Sequence, residues 1–192
     1  MKEVLAVAAL GFSLAANIPY IIETIQGKTK PERISWLLWT MLGATYFASA
    51  VFSDGAVLFT AGELIGPVIV FILSFKFGVG GKSRFDLVSL AVALIAFALL
   101  LITQDVLLSL ILALIVDGIG ALLTIRKLHL DPSSESKGFW AMGAISSCLA
   151  ILSLSVYNAE TLMFPVYVIL LSTYIFIKAK PAAKHRGAIG KL

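Results

Sequence analysis

Charged residues are scarce in this chain. They make up 14% of its 192 residues, and hydrophobic residues make up 59%, whereas a soluble domain carries about 25% charged residues. The mean hydropathy is +0.99. This composition excludes an ordinary water-soluble domain and indicates an integral membrane protein.

Cysteine and histidine are also scarce. The single cysteine, Cys148, cannot form an intramolecular disulfide and is expected to pack as a small apolar residue. His129 and His185 lie in separate loops with no cysteine or carboxylate at ligand spacing, so no metal site is expected. Without an intramembrane histidine or paired carboxylates, we expect neither an enzyme nor a bound cofactor.

Long apolar runs are abundant instead. A transmembrane helix needs about 20 apolar residues, and charged or turn-forming clusters divide the chain into seven runs of this kind. The predicted spans are 4–22, 35–52, 56–75, 86–103, 105–126, 139–157 and 160–178. The first run resembles a signal peptide in its opening residues, but it continues as far as Ile22, which favours a span.

The basic residues are distributed unevenly between the connections. All except Lys2 fall on alternate connections or after the last span, and the connections around 53–55, 104–105 and 158–160 contain none. The positive-inside rule therefore predicts an external N-terminus and a cytoplasmic C-terminus in a plasma or inner membrane. Membrane lipids are expected partners of these cations, whereas no motif supports nucleic-acid binding.

An internal repeat is indicated by rare residue types that recur at a spacing of about 100 residues. The matched pairs are Asn17 with Asp117, Pro31 with Pro132, Ser35 with Ser136, Trp39 with Trp140, Pro67 with Pro165, and Ser74 with Ser172. The predicted halves are 1–85 and 105–179, joined by a linker helix at 86–104 and followed by a basic tail at 180–192. An extra helix between two three-helix units makes the repeats parallel, which predicts an all-α fold of 3+1+3 transmembrane helices.

A short motif in the first half resembles a known family. Asn17-Ile18-Pro19-Tyr20, followed by Lys28-Thr29 and Ser35, resembles the PQ-loop motif of the SWEET and PQ-loop superfamily, with Tyr20 in place of the motif's glutamine. In the second half, Ile119-Gly120 stands in place of the motif's pair. The resemblance, closest to an uncharacterised bacterial branch, implies the same three-one-three organisation. That superfamily includes sugar and amino-acid transporters and a retention-signal receptor.

Asp117 is the strongest candidate for a functional residue. An ionisable group near the bilayer midplane costs about 2.5–3.5 kcal/mol, and Asp117 lies about 18 Å into the fifth span. Asn17 lies at a similar depth in the first span, so the repeat predicts that the two approach each other across a central pathway. Together they could bind a polyol or amine, or couple transport to protons. The alternative is a polar contact between helices.

Five further side chains are candidates for lining the pathway. Glu63 is interpreted either as part of an outer vestibule or as a residue packed between small neighbours. Trp39 and Trp140, being repeat-equivalent, could stack on a ring-bearing solute, although an interfacial aromatic belt that includes Trp36 is the favoured interpretation. Tyr46 and Tyr157 are weaker candidates of the same kind.

Prolines and loop residues complete the set. Each proline inside a span removes a backbone hydrogen bond, and the family resemblance implies that Pro19, Pro67 and Pro165 act as hinges; a static kink is the alternative. The loop residues Asp131, Pro132 and Glu135 are expected to cap helices and turn the chain. A second hypothesis for the loops is a cytoplasmic gate in which Glu32 or Glu135 pairs with Arg33, Lys127 or Lys137.

The sequence thus favours a transporter of small polar solutes, sugar-like or amino-acid-like, that works by alternating access between two three-helix halves. The alternative is a receptor or scaffold on the same fold that binds a ligand without moving it. A homo-oligomer is compatible with either function.

Overall fold

The computed structural model describes residues 1–52 and 57–181, and this part of the chain is entirely α-helical apart from its connections. Seven helices follow one another. They are α1 (Lys2–Ile25), α2 (Arg33–Phe52), α3 (Val57–Phe77), α4 (Arg84–Ile102), α5 (Val106–Leu130), α6 (Lys137–Ser153) and α7 (Ala159–Lys178). Seven helices at these places confirm the helical part of the sequence-based prediction.

Several helices are long and apolar enough to lie in a bilayer. Among the described residues, four helical segments meet that criterion by length and composition: Lys2–Ile25, Arg84–Ile102, Leu107–Leu130 and Thr161–Lys178. Two further apolar helical segments, Leu64–Phe77 and Lys137–Ser153, are shorter. Large apolar side chains are exposed on the outside of the bundle, which suits a lipid environment better than water.

Polar side chains cap the starts of four helices. Ser83 accepts a hydrogen bond from the backbone N–H of Asp86, and the Asp86 carboxylate accepts one from the backbone of Ser83, which forms a capping box at α4. The other caps are Asp105 at α5, Ser136 at α6 and Asn158 at α7. These caps satisfy N–H groups that the first helical turn leaves without partners.

Two helix ends differ most from the predicted bounds. Helix α5 continues beyond 126 to Leu130, since no helix-breaking residue intervenes before Pro132. Helix α6 ends at Ser153 rather than near 157, because Leu154 adopts extended backbone and Asn158 already caps α7. The prediction that placed Tyr157 inside the sixth span was therefore wrong: Tyr157 lies in the connection and is exposed.

The helices pack in a ring in which the third helix of each half lies between the other two. Helix α3 packs against α1 and α2, and α7 packs against α5 and α6. The halves meet where α1 packs against α6 and where α2 packs against α5. Exchanging α1, α2 and α3 with α5, α6 and α7 leaves this set of contacts unchanged. Helix α4 lies outside the ring, mainly against α5.

One pair of backbone hydrogen bonds repeats between the halves. The Val79 N–H donates to the Pro31 carbonyl at 2.9 Å, and the Lys180 N–H donates to the Pro132 carbonyl at 2.7 Å. The two donors are 101 residues apart, and so are the two acceptors. The same spacing relates Trp39 to Trp140 in the sequence. In both halves, the chain leaving the third helix is thus tied to the connection that precedes the second.

The connections that carry basic residues, or that adjoin helix ends carrying them, come together at one end of the bundle. They are the segments 26–32, 78–83, 131–136 and 179–181, and we call this end the basic end. Besides the two bonds above, the Lys30 N–H donates to the Ser134 carbonyl at 3.0 Å, which joins the first half to the second. The alternation of charge along the sequence corresponds to one face of the molecule.

Candidate functional site

Asp117 lies near the middle of α5, as the twelfth of its 25 residues. The Tyr167 hydroxyl of α7 donates a hydrogen bond to Asp117 Oδ2 at 2.5 Å. The indole of Trp39 on α2 faces the same carboxylate, and Tyr46, two turns further along α2, lies close enough to interact with its charge. The structure thus gathers three of the predicted site residues, Asp117, Trp39 and Tyr46, at the contact between the two halves.

This cluster has the chemistry of a binding site for polar solutes. A carboxylate accepts hydrogen bonds from hydroxyl or ammonium groups, and charge-assisted bonds of this kind are the stronger ones. The aromatic rings offer apolar faces, while their hydroxyl and indole groups supply donors. Asp117 is half-buried and Tyr46 is 41% exposed, so the cluster is not closed off from its surroundings.

Tyr167 is the residue of this cluster that sequence reasoning missed. It lies two positions after Pro165 inside an apolar helix, where its hydroxyl needs a hydrogen-bond partner. That need was a usable signal. The identity of the partner depends on how α5 and α7 pack, which the sequence pattern does not specify.

Asn17 does not join the Asp117 cluster among the described contacts. Its side-chain amide donates to the Ser13 carbonyl at 3.3 Å on its own helix and lies against Gly66 of α3. Helices α1 and α5 do not pack against each other in the described residues. Asn17 therefore bonds within its own half, whereas Asp117 contacts Tyr167 and Trp39. The expected approach of Asn17 to Asp117 is not a direct contact.

The Asn17 side chain lies so close to Gly66 that little room is left for a side chain at position 66. A Cβ at position 66 would lie 2.7 Å from Asn17 Nδ2, closer than van der Waals contact allows. Relative to Gly11→Ala, we expect Gly66→Ala to lower the free energy of unfolding by about 1–3 kcal/mol through overpacking, because both variants share the gain of about 1 kcal/mol in helix propensity that alanine has over glycine. Unfolding in detergent, followed by circular dichroism, measures this. The matched control is Gly11→Ala on α1, where a Cβ would meet nothing within 4 Å; equal losses in both variants would contradict the packing argument.

The remaining site predictions have separate outcomes. Pro19, Pro67 and Pro165 lie inside α1, α3 and α7, and the Pro19 ring packs near Gly138 at the α1–α6 contact. Their role as hinges stays a prediction. The side chain of Glu63 lies outside the described residues.

The tryptophans form a core rather than an interfacial belt. Trp36 and Trp140 are 2% and 4% exposed. The ring centroids of Trp36 and Trp39 are 5.0 Å apart, and those of Trp39 and Trp140 are 6.3 Å apart. The belt interpretation is wrong for Trp36 and Trp140, because belt residues reach toward the headgroups whereas these two are enclosed by protein.

A buried ion pair lies directly below this aromatic core, at the basic end. The Lys127 ammonium pairs with the Glu135 carboxylate, and the two side chains are 7% and 1% exposed. Glu135 also accepts hydrogen bonds from the Trp140 indole at 2.7 Å and the Tyr20 hydroxyl at 3.3 Å, and Lys127 Nζ donates to the Lys30 carbonyl at 2.6 Å. Because Tyr20 and Lys30 belong to the first half, the pair connects the two halves through buried polar groups.

A second buried network joins the halves through Ser35. Glu32 Oε2 accepts a hydrogen bond from the Ser35 backbone N–H at 2.6 Å. The Ser35 hydroxyl oxygen lies 2.6 Å from the Gly120 carbonyl oxygen and 3.0 Å from the Thr124 hydroxyl oxygen, both on α5. Polar groups enclosed in this way hold the basic end together more specifically than exposed charges do.

A more exposed ion pair lies at the basic end in addition to these buried networks. Lys30 pairs with Asp131 at 2.8 Å across the two halves, with side chains 47% and 36% exposed. The Lys30 hydrogen bond, together with the bonds from Ser133, lowers the pKa of Asp131 to about 2. An exposed pair of this type stabilises by about 0–1 kcal/mol, so it adds little to the closure of the basic end.

The gate hypothesis from the sequence has one matching pair in the structure. Lys127 pairs with Glu135, as that hypothesis proposed. Arg33 instead donates to three backbone carbonyls at the end of α3, and Lys137 lies over the Phe176 ring. Asp131 turns the chain by accepting from the Ser133 N–H, whereas Glu135 is a buried bridging residue rather than a helix cap.

Comparison with known proteins adds no relative to this description. No protein-family model, curated protein or solved structure matches the chain. The function therefore has to be argued from the residues themselves.

Proposed function

We propose that this chain is a multi-pass membrane transporter of small polar solutes that works by alternating access between two parallel three-helix halves. The observation that carries the proposal is the Asp117 cluster, in which a mid-helix carboxylate of one half faces Trp39 and Tyr46 of the other. The carboxylate also accepts a hydrogen bond from Tyr167 of its own half. Sugar-like and amino-acid-like solutes carry the hydroxyl or ammonium donors that this carboxylate accepts.

The packing of the helices supports alternating access. The contacts within one half are equivalent to those of the other, and each half meets the other through one pair of helices at each side of the ring. Two similar bodies with a site at their interface can rock about that site. The resemblance to the SWEET and PQ-loop superfamily implies the same arrangement of seven spans.

The basic end supports a specific assignment of state. If the basic end is cytoplasmic, as the positive-inside rule predicts, then the buried Lys127–Glu135 pair and the Ser35 network close the cytoplasmic side. The structure then represents a state whose route to the cytoplasm is shut. Opening it requires these two networks to separate.

Reconstitution into liposomes tests the proposed function. The purified chain should show saturable uptake of at least one class among radiolabelled sugars, amino acids and nucleosides, above the uptake of empty liposomes. A prior screen for thermal stabilisation selects the solutes, because a ligand at 100 times its Kd stabilises the folded state by about 2.7 kcal/mol. Saturable binding without uptake would favour the receptor or scaffold alternative.

A further inference from the structure

Glu32 is a buried carboxylate that the proposed transport cycle does not yet use. It lies in the connection between α1 and α2, and the residue is 3% exposed. Its Oε2 accepts from the Ser35 backbone, but its Oε1 has no hydrogen-bond partner in the described part of the chain. An ionised carboxylate with one oxygen buried and unpartnered is costly, because that oxygen has lost its water without replacement.

The Ser35 hydroxyl also has fewer hydrogens than the acceptor oxygens around it require. This group carries one hydrogen, yet its oxygen lies 2.9 Å from Glu32 Oε2 and 2.6 Å from the Gly120 carbonyl oxygen. Both of these oxygens are acceptors while Glu32 is ionised. If Glu32 carries a proton, it donates to Ser35 Oγ, and Ser35 is then free to donate to Gly120. The Thr124 hydroxyl donates to the other lone pair of Ser35 Oγ, so the neutral carboxyl supplies the hydrogen that the Ser35 contacts lack. Oε1 keeps no partner, but it then belongs to an uncharged group, whose burial costs less.

The charged neighbours of Glu32 are engaged with other groups. On α4 and α5, Asp86 pairs with Arg126 at 2.7 Å, and Lys127 pairs with Glu135. On its own side, Arg33 donates to backbone carbonyls at the end of α3. Burial raises the pKa of Glu32 above its usual range, and the charge of Asp86 adds to this rise, whereas the Ser35 bonds and the charge of Lys127 oppose it. Among the described residues, no lysine or arginine forms an ion pair with Glu32 that would neutralise an ionised carboxylate.

A pocket at the basic end is lined in part by Glu32. It has a volume of about 190 Å³, and its lining includes Glu32, Ser83, Asp86 and Arg126. This volume holds several water molecules. Solvent in this pocket therefore comes close to Glu32 on the side away from the aromatic core, although Oε1 itself is buried.

We propose that Glu32 is the proton-binding site of the basic end, and that it takes up a proton from the cytoplasm when the two halves close there. This inference rests on the proposed alternating movement of the halves, but not on the identity of the solute or on net transport. When the end opens, Glu32 becomes hydrated and its proton is released. Proton binding thus favours the closed end at pH values below the raised pKa, and this contribution is lost as the pH rises through it.

Tryptophan fluorescence tests this directly. The three tryptophans of the chain are Trp36, Trp39 and Trp140, and all lie in the aromatic core next to these networks. The purified full chain, in detergent at fixed ionic strength and without solute, should show a one-proton transition at a pH above the usual range of a glutamate carboxyl. Glu32→Gln should remove that transition and keep the spectrum of the low-pH form, because the amide resembles the neutral acid.

Two further variants make the experiment decisive. Glu3→Gln changes an exposed carboxylate in the first turn of α1, away from these networks, and it should retain the transition. Asp86→Asn should move the midpoint to lower pH by about half a unit or more, since it removes a negative charge near Glu32 and frees the positive charge of Arg126. The shift expected for Asp86→Asn can be measured even if Glu32→Gln fails to fold.

Several outcomes would overturn the inference. They are a transition that survives in Glu32→Gln, the absence of any transition in the unmodified chain, and a midpoint unmoved by Asp86→Asn. A spectral change driven by sodium or potassium at constant pH would assign the site to a metal cation instead. Because no solute is present, failure of this experiment is distinct from the absence of uptake in liposomes.

Discussion

Asp117→Asn is expected to lower solute uptake in proteoliposomes by about tenfold or more. The substitution keeps the size of the side chain and removes its charge, so the bond from Tyr167 and the bonds from a solute both become weaker. A hydrogen bond to a charged group is worth about 1.5–3 kcal/mol, and each 1.4 kcal/mol is about a factor of ten in binding. Initial rates over a range of solute concentrations measure the effect.

Two tyrosine variants show whether the loss of uptake in Asp117→Asn is specific. Tyr167→Phe removes one donor to Asp117 and leaves the carboxylate, so we expect a smaller loss than for Asp117→Asn. Tyr157→Phe is the matched control, because Tyr157 is exposed in the connection between α6 and α7, and its uptake should equal that of the unmodified chain. Unchanged uptake in Asp117→Asn would remove Asp117 from the mechanism and leave it as a polar contact between helices.

Lys127→Met is expected to produce the largest loss of stability. The substitution keeps an unbranched side chain of similar length but leaves the Glu135 carboxylate buried without its counter-charge. Breaking a buried pair in this way costs about 3–5 kcal/mol. For a chain of this size, about 2–4 °C in Tm corresponds to 1 kcal/mol, so Tm should fall by about 6–20 °C. A thermal unfolding scan in detergent measures it.

The double variant Lys127→Met with Glu135→Gln separates the pair from its surroundings. Removing both charges leaves no uncompensated ion, so the double variant should be more stable than Lys127→Met alone. Lys28→Met is the control for a lost surface cation, since Lys28 is exposed, and it should change stability by no more than about 0.5 kcal/mol. A Tm for Lys127→Met equal to that of Lys28→Met would show that the pair does not hold the halves together.

The candidate site was predictable in part. Asp117 stands out because a carboxylate inside an apolar run needs a reason, and Trp39 stands out because it recurs at Trp140. The contact of Asp117 with Tyr167 was not predictable, because it depends on the packing of α7 against α5. The prediction for Asn17 assumed that equivalent residues face each other, whereas the ring places α3 and α7 beside them.

The basic end was the least predictable region. Hydropathy assigns Glu32, Ser35, Lys127 and Glu135 to loops and helix ends near water, and charges in such places are usually solvated. The structure buries them, because the connections of the two halves fold over each other. A charge pattern that repeats along the sequence predicts which segments share a side of the bundle, but not which of their side chains are enclosed.

By itself, the sequence determined that the chain is helical, apolar enough for a membrane and divided into seven helices, since hydropathy, prolines and caps act over a few turns of local chain. It also indicated the repeat, through residues 101 apart such as Trp39 and Trp140. Only the tertiary structure decided which polar groups meet: Asp117 with Tyr167, Lys127 with Glu135, and Ser35 with Thr124. These pairs join residues from different elements, and their burial depends on the exact packing of several helices, which no local pattern encodes.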